Sequence, residues 1–361
     1  MKLRYDPRLV NSFAQFGLPK PLLDRIGFEA PTSMQKKMLA SNLSDLSIFA
    51  RAPPNTGKST SMAIAVANKA ISTPKKVSSL ILVPTPSLVD QYATVLGGLN
   101  CSSSVLYRTG NEEQDEKQLQ SIKQPANVLV CTPTRLLDYL TYDPALIPLQ
   151  NLTEIVVDEL ELFQSSSKTK ATPLEQLLDH ILEPHHLTTL ISNSPSKLRF
   201  LELERILASK VKSLMEVSVA NVKPPPVDIT VFRHTGEKMS LEQQPVFPRS
   251  TPETITLAKT IKALASAWDK HGLVLIPEGI SAKTFQEKTG ATPAKFSEVS
   301  GLNLDLNSLF VLGWDTTVDL HKLVHTVRGD GAKITICLMS DDNEALNDIY
   351  SQYNTLYHGL P

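Results

Sequence analysis

The sequence is short of several things, and each shortage excludes something. It has three cysteines in 361 residues, Cys101, Cys131 and Cys337. An odd number this widely spaced forms neither a disulfide framework nor a metal-ligand pair, and it fits a reducing compartment. No apolar run approaches the roughly 18 residues of a membrane span, so no membrane span is expected. Neither sign of charge dominates, with 36 Lys and Arg against 37 Asp and Glu. That excludes a protein held to nucleic acid by bulk charge, but not one with a local basic groove. The opening MKLRYDPRLVNSF has three basic residues, but it lacks the apolar core of a secretory signal and is too short to mark an organelle presequence. Arginine is nearly missing from the last stretch: Arg328 is the only one between residues 273 and 361.

What remains is an ordinary globular composition, 41% hydrophobic and 20% charged, in a chain long enough for two domains. Up to about residue 220, apolar runs alternate with helical patterns. The runs are SSLILVPTPS (78–87), ANVLVCTPTR (126–135), LTEIVVDELE (152–161) and LTTLISNSPS (187–196), each ending in small or polar residues. Such runs predict central parallel strands buried on both faces. Helices are predicted between them, at 111–123 and 173–183, and the alternation predicts a doubly wound α/β domain. Ligands of such sheets bind at the carboxyl ends of the strands. Proline then breaks the pattern, in NVKPPPVDITVF (221–232) and QPVFPRSTPET (244–254), and these segments predict linker and irregular structure. A helix over 256–272 and strands over 273–279, 308–315 and 332–342 predict a second, smaller α/β domain.

One stretch carries chemistry. APPNTGKST (52–60) ends in Gly57-Lys58-Ser59 and runs into the helical pattern of 60–71; DLSIFA (45–50) is a feeding strand. In a phosphate-binding loop, backbone N–H groups converge on an anion at a helix N-terminus, a lysine adds charge and a hydroxyl holds magnesium. Pro53 and Pro54 remove two backbone donors. Asn55 stands where glycine would give positive φ, and asparagine is the non-glycine residue that best tolerates that conformation. Alone, the stretch is equally compatible with a chance GKS in a loop. The apolar strand ending in Asp158-Glu159 decides between these, because a strand-end acid of this order and spacing is what organises magnesium, with a neighbouring carboxylate to orient the attacking water.

The order of motifs resembles the DEAD-box RNA helicase family of superfamily 2. GFEAPTSMQ (27–35) resembles its adenine-reading Q motif, APPNTGKST its motif I, and PTPSLVDQ (84–91) its RNA-contacting motif Ia. TG (109–110) is half of its glycine pair. TPTR (132–135) resembles the next RNA motif, DELE (158–161) the DEAD sequence, and SNS (192–194) the SAT motif. The resemblance implies two RecA-like domains with mostly parallel sheets: residues 1–222, a proline-rich linker at 223–256, and a truncated, degenerate second domain at 257–361. It implies ATP, with GTP not excluded, and Mg2+ as ligands. Nucleotide contacts fall on Phe13, Thr32, Gln35, Asn55, Thr56, Gly57, Lys58, Ser59 and Thr60, with Gln35 the base reader and Phe13 the aromatic that stacks on the base. Ser59 and Asp158 fall on magnesium, and Asp158 and Glu159 on catalysis. Pro84, Thr85, Gly110, Thr132 and Arg135 fall on RNA, and Ser192 and Ser194 on coupling.

The chain departs from the family in places that matter. The segment from Phe13 to Gly27 is about one turn short. Glu161 in DELE is one methylene too long for the usual link between this acidic motif and SNS. FVLGWDTTVDLHKLVHTVRGDGAK (310–333) resembles the stretch into the arginine-rich motif VI, but the three arginine positions read Thr326, Gly329 and Ala332. Arg328 is one residue out of register, which turns a helical side chain by about 100°. SGLN (300–303) stands for motif V, and the short interval before it predicts the loss of a strand and a helix or two. His180, His185 and His186 read as part of a solvated loop, Cys131 as a buried filler and Trp314 as core.

The expectation is a degenerate DEAD-box protein that binds purine nucleotide and serves as a platform for RNA and for other subunits of a ribonucleoprotein complex, with little hydrolysis or unwinding. The alternatives are an active ATP-dependent RNA helicase and a nucleotide-free structural subunit. The chain is similar in character to DEAD-box-like subunits of fungal mitochondrial translation-activator complexes. That likeness implies organellar mRNA translation or RNA metabolism in the mitochondrial matrix, with cytoplasm or nucleus as the alternative.

Overall fold

Strands and helices alternate through the first part of the chain because its sequence alternates four-residue apolar runs with helices that have clear start signals. The computed structural model describes residues 3–72, 76–122, 126–143, 145–147, 149–163, 171–193, 201–219, 227–232, 238–239, 273–277, 279–289, 291–296, 306–314, 318–327, 332–338 and 343–358. The chain divides into two units, Met1–Asn221 and Val222–Pro361.

The first unit is built from α1 (Lys20–Leu23), α2 (Ser33–Asn42), β1 (Ile48–Arg51), α3 (Lys58–Ser72), β2 (Ser79–Leu82), α4 (Pro86–Gly98), β3 (Ser103–Leu106), α5 (Glu112–Ile122), β4 (Val128–Cys131), α6 (Pro133–Tyr142), β5 (Glu154–Val157), α7 (Pro173–Ile181), β6 (Leu187–Ser192), α8 (Leu201–Lys210) and β7 (Met215–Ser218). The seven strands form one sheet in the order β3-β4-β2-β5-β6-β1-β7, with every pairing parallel. All four residues of β2, β4 and β5 are buried, as parallel strands covered on both faces require. The helix starts are equally explicit. Thr85 and Thr132 cap α4 and α6, with Pro86 and Pro133 at the first helical position, and Thr172 with Glu175 closes a capping box on α7.

Registers bring the strand ends level. Arg51 pairs with Ser192, Val157 with Leu82 and Leu190, and Cys131 with Leu82 and Leu106. The loops that follow these residues therefore share one edge of the sheet. Strand β6 separates β1, which leads into the phosphate-loop sequence, from β5, which leads into Asp158.

The second unit holds β8 (Asp228–Phe232), β9 (Lys238–Met239), β10 (Leu273–Ile276), α9 (Ala282–Thr289), β11 (Thr292–Lys295), β12 (Ser308–Leu312), α10 (Leu320–Thr326), β13 (Lys333–Cys337) and α11 (Asn343–His358). Its sheet runs β11-β10-β12-β13-β8-β9, parallel except for β9. Two α/β units with mainly parallel sheets are thus present, as expected.

The linker boundary needs correcting. Residues 228–232, expected to be irregular, form a strand with parallel partners from Asp228↔Lys333 to Phe232↔Cys337. The prolines at 224–226 mask a β-branched run, DITVF, which has the composition of a strand. Among the described residues, the shortened interval after β10 still holds the helix α9 and the strand β11. The expected helix over 256–272, SGLN, Ser194, Arg328 and Gly329 lie outside the described residues.

Candidate functional site

The phosphate-loop sequence leaves β1 at Arg51 and enters α3 at Lys58. Asn55 has φ of 59° and Gly57 of 87°, so asparagine does adopt the left-handed conformation here. The loop is braced from α2. The Thr32 hydroxyl donates to the Thr56 carbonyl at 2.7 Å, while Gln35 Oε1 accepts from the Thr32 amide at 2.9 Å. A Cβ on Gly57 would lie 2.5 Å from Gln35 Nε2, so both its φ and this contact demand glycine. Gln35, expected to read a base, is buried as the capping partner of Thr32.

Lys58 is 4% exposed. Its Nζ donates to the carbonyl oxygens of Ala52 at 2.6 Å and Pro53 at 2.7 Å. Burial pushes its pKa down to about 8, against the pull of Asp158, Glu159 and Glu161. Thr60 follows, half-buried in the first turn of α3.

Asp158 is 2% exposed and is gripped by three donors. Its Oδ2 accepts from Ser59 Oγ at 2.6 Å and from the Tyr92 hydroxyl at 2.5 Å, and its Oδ1 accepts from the Glu159 amide at 2.8 Å. Burial raises the Asp158 pKa, and the Ser59 and Tyr92 hydrogen bonds oppose that shift. A hydroxyl and a carboxylate side by side at the end of β5 are hard oxygen donors. They fit Mg2+, which takes one or two carboxylates and completes its shell with phosphates and water. Among the described residues, no group of His, Cys, Asp and Glu side chains is arranged to hold a metal by itself. Glu159 has φ of 54°, an uncommon conformation for glutamate, and its Oε2 accepts from Asn193 Nδ2.

One expectation is overturned at this edge. Glu161 was too long on paper to link the acidic motif to SNS. In the fold its carboxylate accepts from the Ser192 hydroxyl at 3.0 Å and from the Asn193 amide at 3.2 Å. Glu161 sits in the 3-10 turn Leu160–Phe163 that follows Glu159. Phe13 was expected to stack on a base. It is 3% exposed and Phe16 is 1% exposed, because the short turn Phe13–Phe16, closed by left-handed Gly17, turns both rings inward. The exposed aromatic of this region is Phe28.

The residues expected at RNA follow β2, β3 and β4, which are adjacent. Pro84 and Thr85 precede α4, Gly110 (φ 76°) precedes α5, and Thr132 caps α6. Amides at helix starts suit phosphate oxygens. Arg135 is differently employed. Its guanidinium pairs with Asp115 at 2.7 Å and lies over the Tyr139 ring, 4.5 Å from the centroid. Asp115 also accepts from the Thr109 amide and hydroxyl, at 3.0 and 2.8 Å. Arg135 thereby pins the loop that holds Gly110.

In the second unit, Thr326 and Ala332, two of the three positions where an arginine was expected, are both buried. Trp314 packs on the core, and its Nε1 donates to Asp348 at 2.8 Å. Cys131 is fully buried, as read. His186 is buried rather than solvated, and its Nδ1 accepts from the Glu183 amide at 3.1 Å. Tyr92 and Asp115 were not singled out in the sequence, and Asn193 appeared there only as the middle of the SNS motif. Tyr92 had a signal in the four-residue spacing of Leu88, Tyr92 and Leu96 along the buried stripe of α4.

Residues 32–200 match the DEAD/DEAH box helicase family model. The chain is 22% identical over 345 residues to the Geobacillus kaustophilus DEAD-box ATP-dependent RNA helicase CshA, covering 89% of this chain and 71% of that one. It is 30% identical over 187 residues to the Saccharomyces cerevisiae ATP-dependent RNA helicase DHH1, covering 50% and 36%. Against the CshA proteins the chain spans 64% to 71% of their length. Among solved structures, an S. cerevisiae Dbp5 variant bound to a Gle1 variant and IP6 superposes with a TM-score of 0.64 at 14% identity, over 98% of this chain and 94% of that one. A DEAD box protein of Methanococcus jannaschii gives 0.54 at 18% identity, over 96% and 97%. These structures share the fold. Residues 32–200 are thus similar to DEAD/DEAH box helicases, and the phosphate-loop sequence and the Ser59–Asp158 pair lie within that matched stretch.

Proposed function

We propose that this chain binds a purine nucleotide with magnesium in its first unit and serves as a platform for RNA and for protein subunits of a ribonucleoprotein complex, with little or no hydrolysis or unwinding. One contrast carries the reading. Lys58, Ser59 and Asp158 lie together with the chemistry of a phosphate and cation site, while buried, uncharged Thr326 and Ala332 stand at two of the three sequence positions of the second unit where the family resemblance implies arginine. An arginine that meets the γ-phosphate is worth roughly 10³–10⁵ in rate in related phosphoryl transfer. Bound nucleotide would then stabilise one conformation rather than be consumed. ATP is favoured through the Q-motif segment of Thr32 and Gln35. Ser59 and Asp158 would hold magnesium, which would supply charge neutralisation on the phosphates.

RNA contact through Thr85, Gly110 and Thr132 is supported by their place at adjacent strand ends. It is also in keeping with a solved Dbp5 complex with RNA and ADP BeF3. The Gle1 complex of Dbp5 is a precedent for protein partners. We place the activity in organellar RNA metabolism or mRNA translation, in the mitochondrial matrix. The test is a nucleotide titration with and without magnesium, paired with steady-state phosphate release with and without RNA. Tight binding with negligible RNA-stimulated release supports the platform. RNA-stimulated turnover of order one per second, an ordinary enzymatic rate, supports an active helicase instead. Absence of binding leaves a nucleotide-free structural subunit.

A further inference from the structure

We infer that Tyr92 is a positioning residue for the divalent cation: its hydroxyl fixes the Asp158 carboxylate, and through it Ser59, in the orientation that receives the metal. The inference rests on the reading of this site as a magnesium–nucleotide site.

Tyr92 lies midway along α4 and is 2% exposed, so it acts through Asp158 rather than on a ligand. Its hydroxyl meets Asp158 Oδ2 at 2.5 Å, and Ser59 meets the same oxygen at 2.6 Å. The Glu159 amide holds the other oxygen at 2.8 Å. Of these three donors, Ser59 lies in the first turn of α3, directly after the phosphate-loop sequence, and the Glu159 amide lies in the bend after β5. Tyr92 belongs to a thirteen-residue helix packed against β3 and β4. It is the donor that comes from neither of the segments expected to meet the nucleotide. A serine hydroxyl that gives its proton to Asp158 keeps its lone pairs for a cation. Its rotamer is then set by the Asp158 oxygen, and that oxygen is set by Tyr92. Outer partners of metal ligands commonly tune metal affinity by 10–100-fold. A tyrosine present only as packing would fill volume and let its hydroxyl take the nearest acceptor. Its loss would then change stability and leave metal affinity alone.

The test uses the full chain, manganese(II) as the probe and a non-hydrolysable ATP analogue. Free manganese is read by electron paramagnetic resonance, and analogue affinity is measured separately in EDTA. The variants are Tyr92→Phe and the replacement of Tyr92 by 4-fluorophenylalanine, which fills the hydroxyl's volume without donating. In either folded variant, manganese affinity should fall by roughly ten-fold or more, while analogue affinity in EDTA stays within about two-fold of wild type. Unchanged manganese affinity in a folded variant, or equal losses with and without metal, would overturn the inference while leaving the nucleotide reading intact. A wild-type chain that binds no nucleotide would overturn both.

Discussion

The carboxylate of Glu161 accepts a hydrogen bond from the Ser192 hydroxyl at 3.0 Å, joining the acidic turn after β5 to the end of β6. The Asn193 amide adds a second bond to the same carboxylate at 3.2 Å. Glu161→Ala removes both and leaves the Asn193 amide without that acceptor. The expected loss is about 1–3 kcal/mol, read by urea denaturation of the wild type and the variant. A loss below about 0.5 kcal/mol, typical of an uninvolved surface site, would mean the link is incidental.

Nucleotide binding should depend on Lys58 more than on any other residue of the loop. Its ammonium already lies on the Ala52 and Pro53 carbonyls, with the Thr56 hydroxyl oxygen at 3.5 Å, so phosphate has only to replace neutral acceptors. Lys58→Ala should weaken binding by at least about ten-fold, since no other loop side chain supplies a point charge. Equal thermal shifts for wild type and variant with every nucleotide would count against the site.

The lowered pKa of Lys58, about 8, gives the binding a pH dependence. Anionic phosphate favours the protonated lysine, so binding raises this pKa and takes up a proton above pH 8. Affinity should fall as pH rises from 8 towards 10. Calorimetry at pH 8.5 in buffers of different ionisation enthalpy should show proton uptake, and that uptake should vanish in Lys58→Ala.

Hydrolysis should be slow for want of charge. Phosphate release should stay low with and without RNA, and Glu159→Gln should change cellular function far less than Lys58→Ala. An arginine finger is worth roughly 4–7 kcal/mol, by conversion of 10³–10⁵ in rate. Brisk RNA-stimulated release would point first to Arg328 or to an arginine supplied by a partner chain.

RNA affinity of the isolated chain should be modest and should fall with salt, because the net charge is −1 and the proposed contacts are to backbone phosphates. Arg135→Ala should act mainly by loosening the loop pinned through Asp115. Asp115→Ala should therefore weaken RNA binding too, although it removes a negative charge. Stronger binding by Asp115→Ala would show that Arg135 meets RNA directly.

The sequence was enough to locate the strands and the ends that carry chemistry. VLVC, SLIL and EIVV are apolar apart from Ser79 and Glu154 at their first positions, and burial on both faces leaves such runs few alternatives. It also located Lys58, Ser59 and Asp158, because a phosphate site needs a lysine and a hydroxyl at a helix start and an acid at a strand end. The scarcity of arginine was visible too, since Arg328 is the only one between residues 273 and 361. Tertiary structure decided what depends on reach and packing. Whether Glu161 meets Ser192 depends on the path of the turn between them, and methylene counting cannot give it. The burial of Phe13 follows from how a shortened segment packs, and the strand at 228–232 is stabilised by β13, about a hundred residues away. Tyr92 and Asp158 are 66 residues apart in sequence. Only the packing of α4 on the parallel sheet brings that phenol to that carboxylate, so local pattern could show Tyr92 as buried but not as a donor.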